Sequence, residues 1–430
     1  MNYKASEAFA IEQDQQDPLK DFRKKFFIPQ IEGKDCIYFC GNSLGLQPKI
    51  TRMYIDEELQ VWQNLGVDGH FASKNPWVTY QKLLKKPLAA LVGAQEGEVV
   101  AMNNLTSNLH LMLVSFYRPK GGRYKIITEA GAFPSDQYAL ETQVKFHGYA
   151  PDDAIIELVP RPGEVTLRTE DILAAIEQHG DDVALVMMAG VQYYTGQWFD
   201  LDSITATSHR VGAVVGFDLA HAIGNVPLQL HAWGVDFAVW CTYKYLNAGP
   251  GNVGGAFVHE KHATAPDLPR FAGWWGHDEA ERFLMQKGFK PMEGADGWQL
   301  SNANILPLSA QRASLDLFME AGMDKVRKKS LLLTGYLAYL LQELKQEKDH
   351  FHVITPDNPT ERGCQLSISI DHGGKKIFEA IAREGVIADW REPQVIRIAP
   401  APLYNTFEEV YRFAVLFSKA LHAIESKVGF

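Results

Sequence analysis

The sequence has little of what disulfide-rich, zinc-binding and membrane proteins need. Only four cysteines occur among 430 residues, too few for the disulfide framework of a small secreted protein. Cys36 and Cys40 form the single close pair, and no second pair or histidine cluster follows at zinc-binding spacing. The longest apolar stretch, Leu331–Leu341, is far shorter than the ~20 residues that span a bilayer. We therefore expect no metal site and no membrane-spanning segment.

Positive charge is also in short supply. Lys and Arg total 42 against 52 Asp and Glu, which gives a net charge of -10. Without a basic surplus to neutralise phosphates, nucleic acid and anionic membranes are excluded as partners, whereas a few local donors can still hold a small anionic ligand. The first 20 residues are polar and contain no apolar signal core, so the expected location is the cytoplasm.

The apolar residues, 46% of the chain, are enough for a large core, and in the middle of the chain they alternate between two periods. Short β-branched runs predict strands and the intervening segments have helical spacing, a rhythm typical of a mainly parallel sheet between helices. The predicted strands are 124–128, 154–158, 183–188, 211–217, 237–240 and 255–259, and the predicted helices are 109–117, 136–146, 169–178 and 201–210.

The last third of the chain has a different pattern, which predicts a smaller α+β domain. A long helical stretch, 310–346, contains a break at Gly322. The strands expected after it are 365–370 and 395–398, and the helices are 376–384 and 407–425. We expect a large α/β domain over 66–305 and a small domain over 306–430, with the segment 1–65, including a helix at 54–65, packing beside the small domain.

Two charged side chains follow apolar strands in the middle of the chain. Asp218 ends one predicted strand, and Lys244 follows the next. A lysine and a carboxylate at neighbouring strand ends suit pyridoxal phosphate (PLP), whose aldehyde binds lysine and whose ring nitrogen stays protonated beside an acid. The alternative is that Asp218 caps a helix and Lys244 is a solvated surface residue. Lys244 nevertheless lies between Trp240 and Tyr245, in a stretch that should be buried.

Further segments could hold the other parts of such a cofactor. Asn104–Asn108 precedes a predicted helix, where hydroxyl and N–H groups can bind a phosphate or simply cap the helix. Phe133 follows the first predicted strand and could stack on a pyridine ring or belong to the core. The glycine-rich run 249–255 is assigned no contact, because a turn before a strand explains it.

These segments, taken in order, resemble the PLP-dependent enzymes of the aspartate-aminotransferase fold and, more closely, the kynureninase family. The resemblance extends from Gly41–Pro48 to Arg397–Asn405, nearly the whole chain. It includes the motifs Asn-Leu-Thr, Phe-Pro-Ser-Asp, Gly-Val-Gln-Tyr-Tyr-Thr-Gly-Gln, Gly-Phe-Asp-Leu-Ala-His and Tyr-Lys-Tyr-Leu-Asn-Ala-Gly. One departure is Ala189, where many relatives carry a hydroxyl residue, so one hydrogen bond to the cofactor is expected to be missing or replaced by water.

The resemblance implies a role for each matching residue. Lys244 and Tyr243 are the expected catalytic residues; Lys244 forms the Schiff base with PLP, and Tyr243 transfers protons if neighbouring cations lower its pKa. The expected cofactor-binding residues are Leu105, Thr106, Phe133, Asp136, Asp218, His221, Tyr243, Lys244, Trp274 and Asn302. Trp274 and Asn302 are expected to act across a homodimer interface. The expected substrate-binding residues are Arg397, which holds the α-carboxylate, and His70, Ser43 and Asn302 near the aryl group.

The implied reaction is hydrolysis of L-kynurenine to anthranilate and L-alanine, or of 3-hydroxykynurenine to 3-hydroxyanthranilate, in tryptophan breakdown or NAD synthesis. Which substrate and which role apply stays open at this point. A cysteine desulfurase with Cys364 as the nucleophile is one alternative, although this cysteine directly enters a predicted strand and lacks a delivering loop. An aminotransferase and a non-catalytic scaffold are the others, but a scaffold does not need Asp218, Lys244 and Arg397 together.

Overall fold

The computed structural model describes residues 2–265, 268–347 and 350–428. Its α-helices are α1 (Glu7–Gln16), α2 (Thr51–Leu65), α3 (Lys85–Val92), α4 (Leu105–Phe116), α5 (Pro134–Phe146), α6 (Pro151–Ala154), α7 (Thr169–Gln178), α8 (Leu201–Arg210), α9 (Ile305–Ala321), α10 (Met323–Glu347), α11 (Gly374–Arg383) and α12 (Phe407–Val428). Its strands are β1 (Gln30–Ile31), β2 (Lys34–Asp35), β3 (Ile37–Tyr38), β4 (Val99–Ala101), β5 (Lys125–Glu129), β6 (Ile155–Leu158), β7 (Val183–Ala189), β8 (Val214–Asp218), β9 (Phe237–Trp240), β10 (Gly255–Val258), β11 (Phe351–Val353), β12 (Leu366–Ile370), β13 (Val386–Ile387), β14 (Asp389–Arg391) and β15 (Val395–Ile398).

A mainly parallel sheet forms the centre of the molecule, as the sequence predicts. Over the described residues it has seven strands in the order β4-β10-β9-β8-β7-β5-β6. Strands β5 to β9 pair in parallel, and β10 runs antiparallel to both of its neighbours. Val183–Met188 is buried throughout, which is the expected result for an apolar strand covered on both faces by helices. The sequence analysis missed β4, because three residues are too short to show a period.

A second sheet and its helices form a separate core. Within the described residues this sheet has the order β11-β12-β15-β14, and its core also takes side chains from α1, α10, α11 and α12. Helix α9 packs instead against α2 and contributes Leu315 and Phe318 to the core of the central sheet. The α+β character of the last third is therefore confirmed, while the domain boundaries at 65/66 and 305/306 stay a prediction.

The predicted break at Gly322 is confirmed by the backbone. Helix α9 ends at Ala321, α10 begins at Met323, and Gly322 between them has a φ of 77°. This left-handed conformation favours glycine, because a Cβ would be strained there. The break directs α9 toward the first core and α10 toward the second.

The parallel strands bring several polar side chains to one edge of the central sheet. Glu129, Ala189 and Asp218 end β5, β7 and β8, and Ala189 lies opposite Asp218 in the strand register. Lys244 follows β9, while α4 and α5 begin at the same edge. In open α/β sheets ligands bind outside the carboxyl ends of the strands, so the fold predicts a binding site at this edge.

Candidate active site

A cavity of about 170 Å³ opens at this edge. Its walls are Leu105, Thr106, Glu129, Phe133, Ser135, Asp136, Ala189, Val191, Tyr193, Asp218, Ala220, His221, Tyr243 and Lys244. Eight of the residues predicted from the sequence thus lie together around one space. Two larger depressions, of about 670 and 800 Å³, contain none of the predicted residues.

Lys244 lies in this cavity in contact with an imidazole. Its Nζ is 2.9 Å from His221 Nε2 and 5.7 Å from the centre of the Phe133 ring. Burial, and then the charge of Lys244, lower the pKa of His221 well below its usual value, so the imidazole is neutral and can accept a hydrogen bond from the ammonium. His221 Nδ1 is buried without a hydrogen-bond partner, which leaves a polar atom available to a ligand.

Asp136 and Asp218 form a coupled pair of buried carboxyl groups. Burial, and then the charge of Asp218, raise the pKa of Asp136 well above its usual value. Burial also raises the pKa of Asp218, but the hydrogen bond from Asp136 and the charge of Lys244 oppose that rise. Of the two groups, Asp136 therefore holds a proton more tightly than Asp218, whose Oδ1 accepts a 2.7 Å hydrogen bond from the Ala220 N–H. Asp136 Oδ1 is buried without a partner.

The opposite wall of the cavity is the start of α4. Asn104 caps this helix, since its side chain accepts a 3.1 Å hydrogen bond from the Ser107 N–H. The first N–H groups of a helix have no partner within it and carry the positive end of its dipole. Leu105 and Thr106 are these first residues, so this wall suits an anion such as a phosphate.

Tyr243 connects the site to the N-terminal segment. Its carbonyl accepts a 2.8 Å hydrogen bond from the Gly45 N–H, at a place where a Cβ on Gly45 would collide with the Lys244 carbonyl. The condition set for Tyr243 as a group that transfers protons, a pKa lowered by neighbouring cations, is not met. Burial raises this pKa, so the phenol is neutral and suited to donate a hydrogen bond.

Arg397 reaches the site indirectly. It is 1% exposed, its Nε donates a 2.6 Å hydrogen bond to Asp389 Oδ2, and its Nη1 donates a 2.7 Å bond to the Tyr193 carbonyl. Tyr193 lines the cavity, and its ring packs edge-on against Phe133 with centroids 5.2 Å apart. The guanidinium is thus fixed beside the cavity wall, and its role in binding a carboxylate stays a prediction.

The remaining predicted residues do not line the cavity. Ser43 and His70 are partly buried, and His70 Nδ1 lies 3.0 Å from the Val67 carbonyl. Asn302 is exposed, and the Trp274 side chain is 41% exposed. One chain therefore does not bring these four residues to Lys244, and their assignment to cofactor, substrate or interface stays a prediction.

Sequence reasoning missed Glu129 and Tyr193 in the cavity wall. Glu129 is 2% exposed, and burial raises the pKa of its carboxyl to about 7. A signal for it existed, because a carboxylate directly followed the predicted strand 124–128. Tyr193 could not be found in this way, since its position depends on a hydrogen bond with an arginine 204 residues later.

Together these groups place different chemical functions on different walls of the cavity. An amine and an aromatic ring lie near a pair of buried carboxyl groups, and helix-terminal N–H groups form another wall. The arrangement fits a planar, phosphorylated ring with a protonated nitrogen and an aldehyde, and the two partnerless buried atoms, Asp136 Oδ1 and His221 Nδ1, give that ligand further polar contacts.

Known proteins with a similar sequence include several kynureninases. The family model described as the kynureninase C-terminal domain matches residues 326–417. A kynureninase of Flavobacterium psychrophilum is 54% identical over 96% of this chain and 97% of its own length. A kynureninase of Myxococcus xanthus is 54% identical over 96% of both chains, and one of Nematostella vectensis is 50% identical over 97% of this chain and 95% of its own.

Solved structures share the fold at much lower identity. A cysteine desulfurase from Thermococcus onnurineus superposes with a TM-score of 0.75 at 17% identity, covering 96% of this chain and 98% of that one. A cysteine desulfurase from Escherichia coli gives 0.76 at 16% identity, covering 94% and 98%. At this identity the likeness concerns the fold alone. The full-length similarity of the sequences decides the family: this chain belongs to the kynureninases.

Proposed function

We propose that this protein uses PLP to hydrolyse L-kynurenine to anthranilate and L-alanine, and 3-hydroxykynurenine to 3-hydroxyanthranilate. The observation that carries the proposal is the meeting of Lys244, Asp218 and Asp136 in one buried cavity of a chain with full-length similarity to kynureninases. Cleavage of the bond between Cβ and the aryl ketone leaves electrons on carbon, and bound PLP supplies the electron-withdrawing ring that accepts them.

Each wall of the cavity has a matching part of this cofactor. Lys244 would bind the aldehyde covalently, Asp218 would pair with the ring nitrogen, and Phe133 would stack on the ring face. Leu105, Thr106 and Tyr243 would hold the phosphate through N–H and hydroxyl donors. The weaker hold of Asp218 on a proton, compared with Asp136, supports this assignment, because a carboxylate keeps a ring nitrogen protonated only while it is itself ionised.

Protons are moved by this chain's own residues. Lys244 would serve as the base for the substrate α-proton when it is not bound to the cofactor, and the neutral His221, whose Nε2 is 2.9 Å from Nζ, would orient its amino group. Tyr243, kept neutral by burial, would donate a hydrogen bond. Arg397 would bind the substrate carboxylate through its planar guanidinium, which Asp389 and the Tyr193 carbonyl hold in one orientation.

The desulfurase alternative finds no support at its nucleophile. Cys364 is fully buried, its N–H donates a 2.9 Å hydrogen bond to Asn225 Oδ1, and burial raises the pKa of its thiol to about 12. A thiol in this state is not a thiolate at neutral pH, whereas the attacking group of a desulfurase must be. Replacing Cys364 by Ala is expected to leave kynurenine cleavage intact.

We further propose a homodimer in the cytoplasm. The Trp274 ring packs against Phe283 at 5.5 Å, and Phe283 lies 6.0 Å from Phe71, so exposed aromatic rings form a contiguous surface. A second copy covering this surface would explain its exposure and would let Trp274 and Asn302 act on a neighbouring cavity. No helix in the described part of the chain has the length and apolarity needed to cross a bilayer. Sedimentation of an active monomer would contradict the dimer.

Product analysis tests the proposed reaction. Purified protein with PLP and L-kynurenine, but no keto acid, should release anthranilate and alanine in equal amounts, as measured by chromatography. A requirement for a keto acid would indicate an aminotransferase, and the absence of both products would refute the proposal. Specificity constants for L-kynurenine and 3-hydroxykynurenine, measured side by side, would assign the preferred substrate.

A further inference from the structure

Three residues at the carboxyl ends of neighbouring strands face the cavity, and the proposed reaction gives a role to only one of them. Glu129 ends β5, Ala189 ends β7 and Asp218 ends β8, and β7 lies between the other two strands. The Ala189 N–H lies 3.3 Å from each carboxylate oxygen of Glu129. Since Ala189 has only a methyl side chain, no polar side chain of β7 separates Glu129 from Asp218 at this edge.

Burial isolates Glu129 from water but not from the cavity. The residue is 2% exposed and nevertheless lines the same space as Lys244 and Asp218. The carboxylate also accepts from its own backbone N–H and from the Thr128 hydroxyl, at 3.5 Å from Oε2. These donors favour the charged form, but burial outweighs them, and no cation pairs with the carboxylate directly among the described residues.

Three titratable carboxyl groups thus share one cavity. The charge of Asp218 adds to burial in raising the pKa of Glu129 to about 7, and the charge of Glu129 in turn helps to raise the pKa of Asp136. Lys244 opposes these rises at Asp136 and Asp218, and His221, neutral at this site, adds no charge. Among the three, the pKa of Glu129 is raised to about 7, in the neutral range, whereas the pKa of Asp136 is raised well above its usual value.

We propose that Glu129 is a positioning residue of the cofactor site, which takes up and releases a proton beside Asp218 and thereby sets the negative charge that the cavity offers to a ring nitrogen. The inference rests on the proposed function, because the ring nitrogen belongs to the proposed cofactor. It adds a residue without an assigned role, acting through Asp218 and Asp136 rather than on the substrate.

The test is a pH titration of the absorbance of bound PLP between pH 5.5 and 9. The imine between PLP and Lys244 itself titrates in this range, so the expected difference is in its midpoint: Glu129→Gln, which cannot ionise, should shift the midpoint of the wild-type step. Glu157→Gln is the matched control, since Glu157 is an exposed carboxylate on β6, the strand beside β5. The control should keep the wild-type step. Glu129→Asp keeps a carboxyl and should keep a step, with a shifted midpoint.

A second readout needs no cofactor. A carboxyl with a raised pKa in the folded state binds its proton more tightly than in the unfolded chain, so it costs stability as the pH rises from about 4.5 to 7. The melting temperature of cofactor-free Glu129→Gln should therefore gain on the wild type between pH 5 and 8. Identical absorbance titrations for wild type and Glu129→Gln would overturn this inference alone. Wild-type protein that binds no PLP would overturn the proposed function as well.

Discussion

Two buried aspartates lie at opposite ends of strand β8 and have opposite surroundings. Asp236, beside the start of the strand, accepts a 2.8 Å hydrogen bond from the Val215 N–H and contacts His209, His262 and Lys261 at 2.9, 2.8 and 2.6 Å. Burial alone would raise its pKa, but these partners lower it below the usual range. Asp218, at the other end, has a raised pKa, and its neighbour Asp136 has a buried Oδ1 without a hydrogen-bond partner.

The difference separates a structural carboxylate from a functional one. Asp236 is surrounded by donors from its own chain, so its charge is satisfied and stabilises the fold. Asp218 has been desolvated with incomplete compensation, which costs stability and leaves capacity for a ligand. Burial is the same in the two cases, at 4% and 7% exposure, so burial alone does not mark the active site.

The largest effect on activity is expected from removing the amine of Lys244, which lines the same cavity as Asp218. Lys244→Ala should lower the rate of kynurenine cleavage by at least about 10³-fold, since both the covalent hold on the cofactor and a general base are lost. Steady-state kinetics measure this. Lys261→Ala, which removes an amine from Asp236, is the control and should keep the specific activity of the folded protein.

Arg397→Ala should cost about 2–5 kcal/mol of transition-state binding, seen as a fall in kcat/KM for kynurenine. Arg391 packs on the same Tyr193 ring and donates to the same Asp389, so Arg391→Ala is the matched variant. A melting curve for each variant separates lost binding from lost folding. A loss below about 0.5 kcal/mol for Arg397→Ala would show that the carboxylate is held elsewhere.

The paired substitutions Asp236→Asn and Asp218→Asn test whether the first aspartate stabilises the fold and the second serves activity. Asp236→Asn should reduce the free energy of unfolding by about 2–3 kcal/mol, a value at the low end for buried ion pairs because Lys261 and His209 are partly exposed. Asp218→Asn should leave the cofactor-free protein as stable or more stable, while kynurenine cleavage falls. Denaturant titrations measure the free energy of unfolding of both variants, and kinetics measure their activity. Equal losses of unfolding free energy in the two variants would contradict the distinction between the two aspartates.

The stability of the fold at acid pH should depend on Asp236. Because its pKa is lower in the folded than in the unfolded state, it contributes stability above an unfolded pKa of about 3.9, and that stability is lost as the pH falls. Between pH 6 and pH 3, wild-type protein should therefore lose about 1–2 kcal/mol more than Asp236→Asn. Urea titrations across this range measure the difference. Parallel curves would contradict the role given to Asp236.

The smallest expected effect concerns Ala189. A hydroxyl added by Ala189→Ser, between Glu129 and Asp218, should strengthen cofactor binding by about 0.5–1.5 kcal/mol, the usual net contribution of one hydrogen bond. Equilibrium titration of the cofactor-free protein with PLP measures the change. Weaker binding would show that the methyl group of Ala189 is needed for packing.

Much of the molecule could be predicted from local patterns. Helices α7 and α8 and strands β9 and β15 have the predicted bounds, because their apolar spacing and end signals agree. The strand-end positions of Asp218 and Lys244 also predicted the meeting of these two side chains. The contact of Lys244 with His221 and the interaction of Asp218 with Asp136 depend on distances that no pattern contains.

The rest of the site depended on tertiary packing. Glu129 ionises near neutral pH only because burial and Asp218 act on it together, and the sequence shows neither distance. The sequence also does not show that burial raises the pKa of Tyr243, because the extent of desolvation depends on packing. Ser43, His70, Trp274 and Asn302 do not reach the cavity of their own chain, and only a second copy or a bound substrate can test their assignment.

The most direct test of the account is to find where the cofactor is attached. Protein incubated with PLP is reduced with borohydride, digested and analysed by mass spectrometry. The account predicts a single pyridoxyl-phosphate modification, on the peptide that contains Lys244. Modification of a different lysine, or of none, would contradict the claim that the cavity between Asp218 and the start of α4 is the reactive centre.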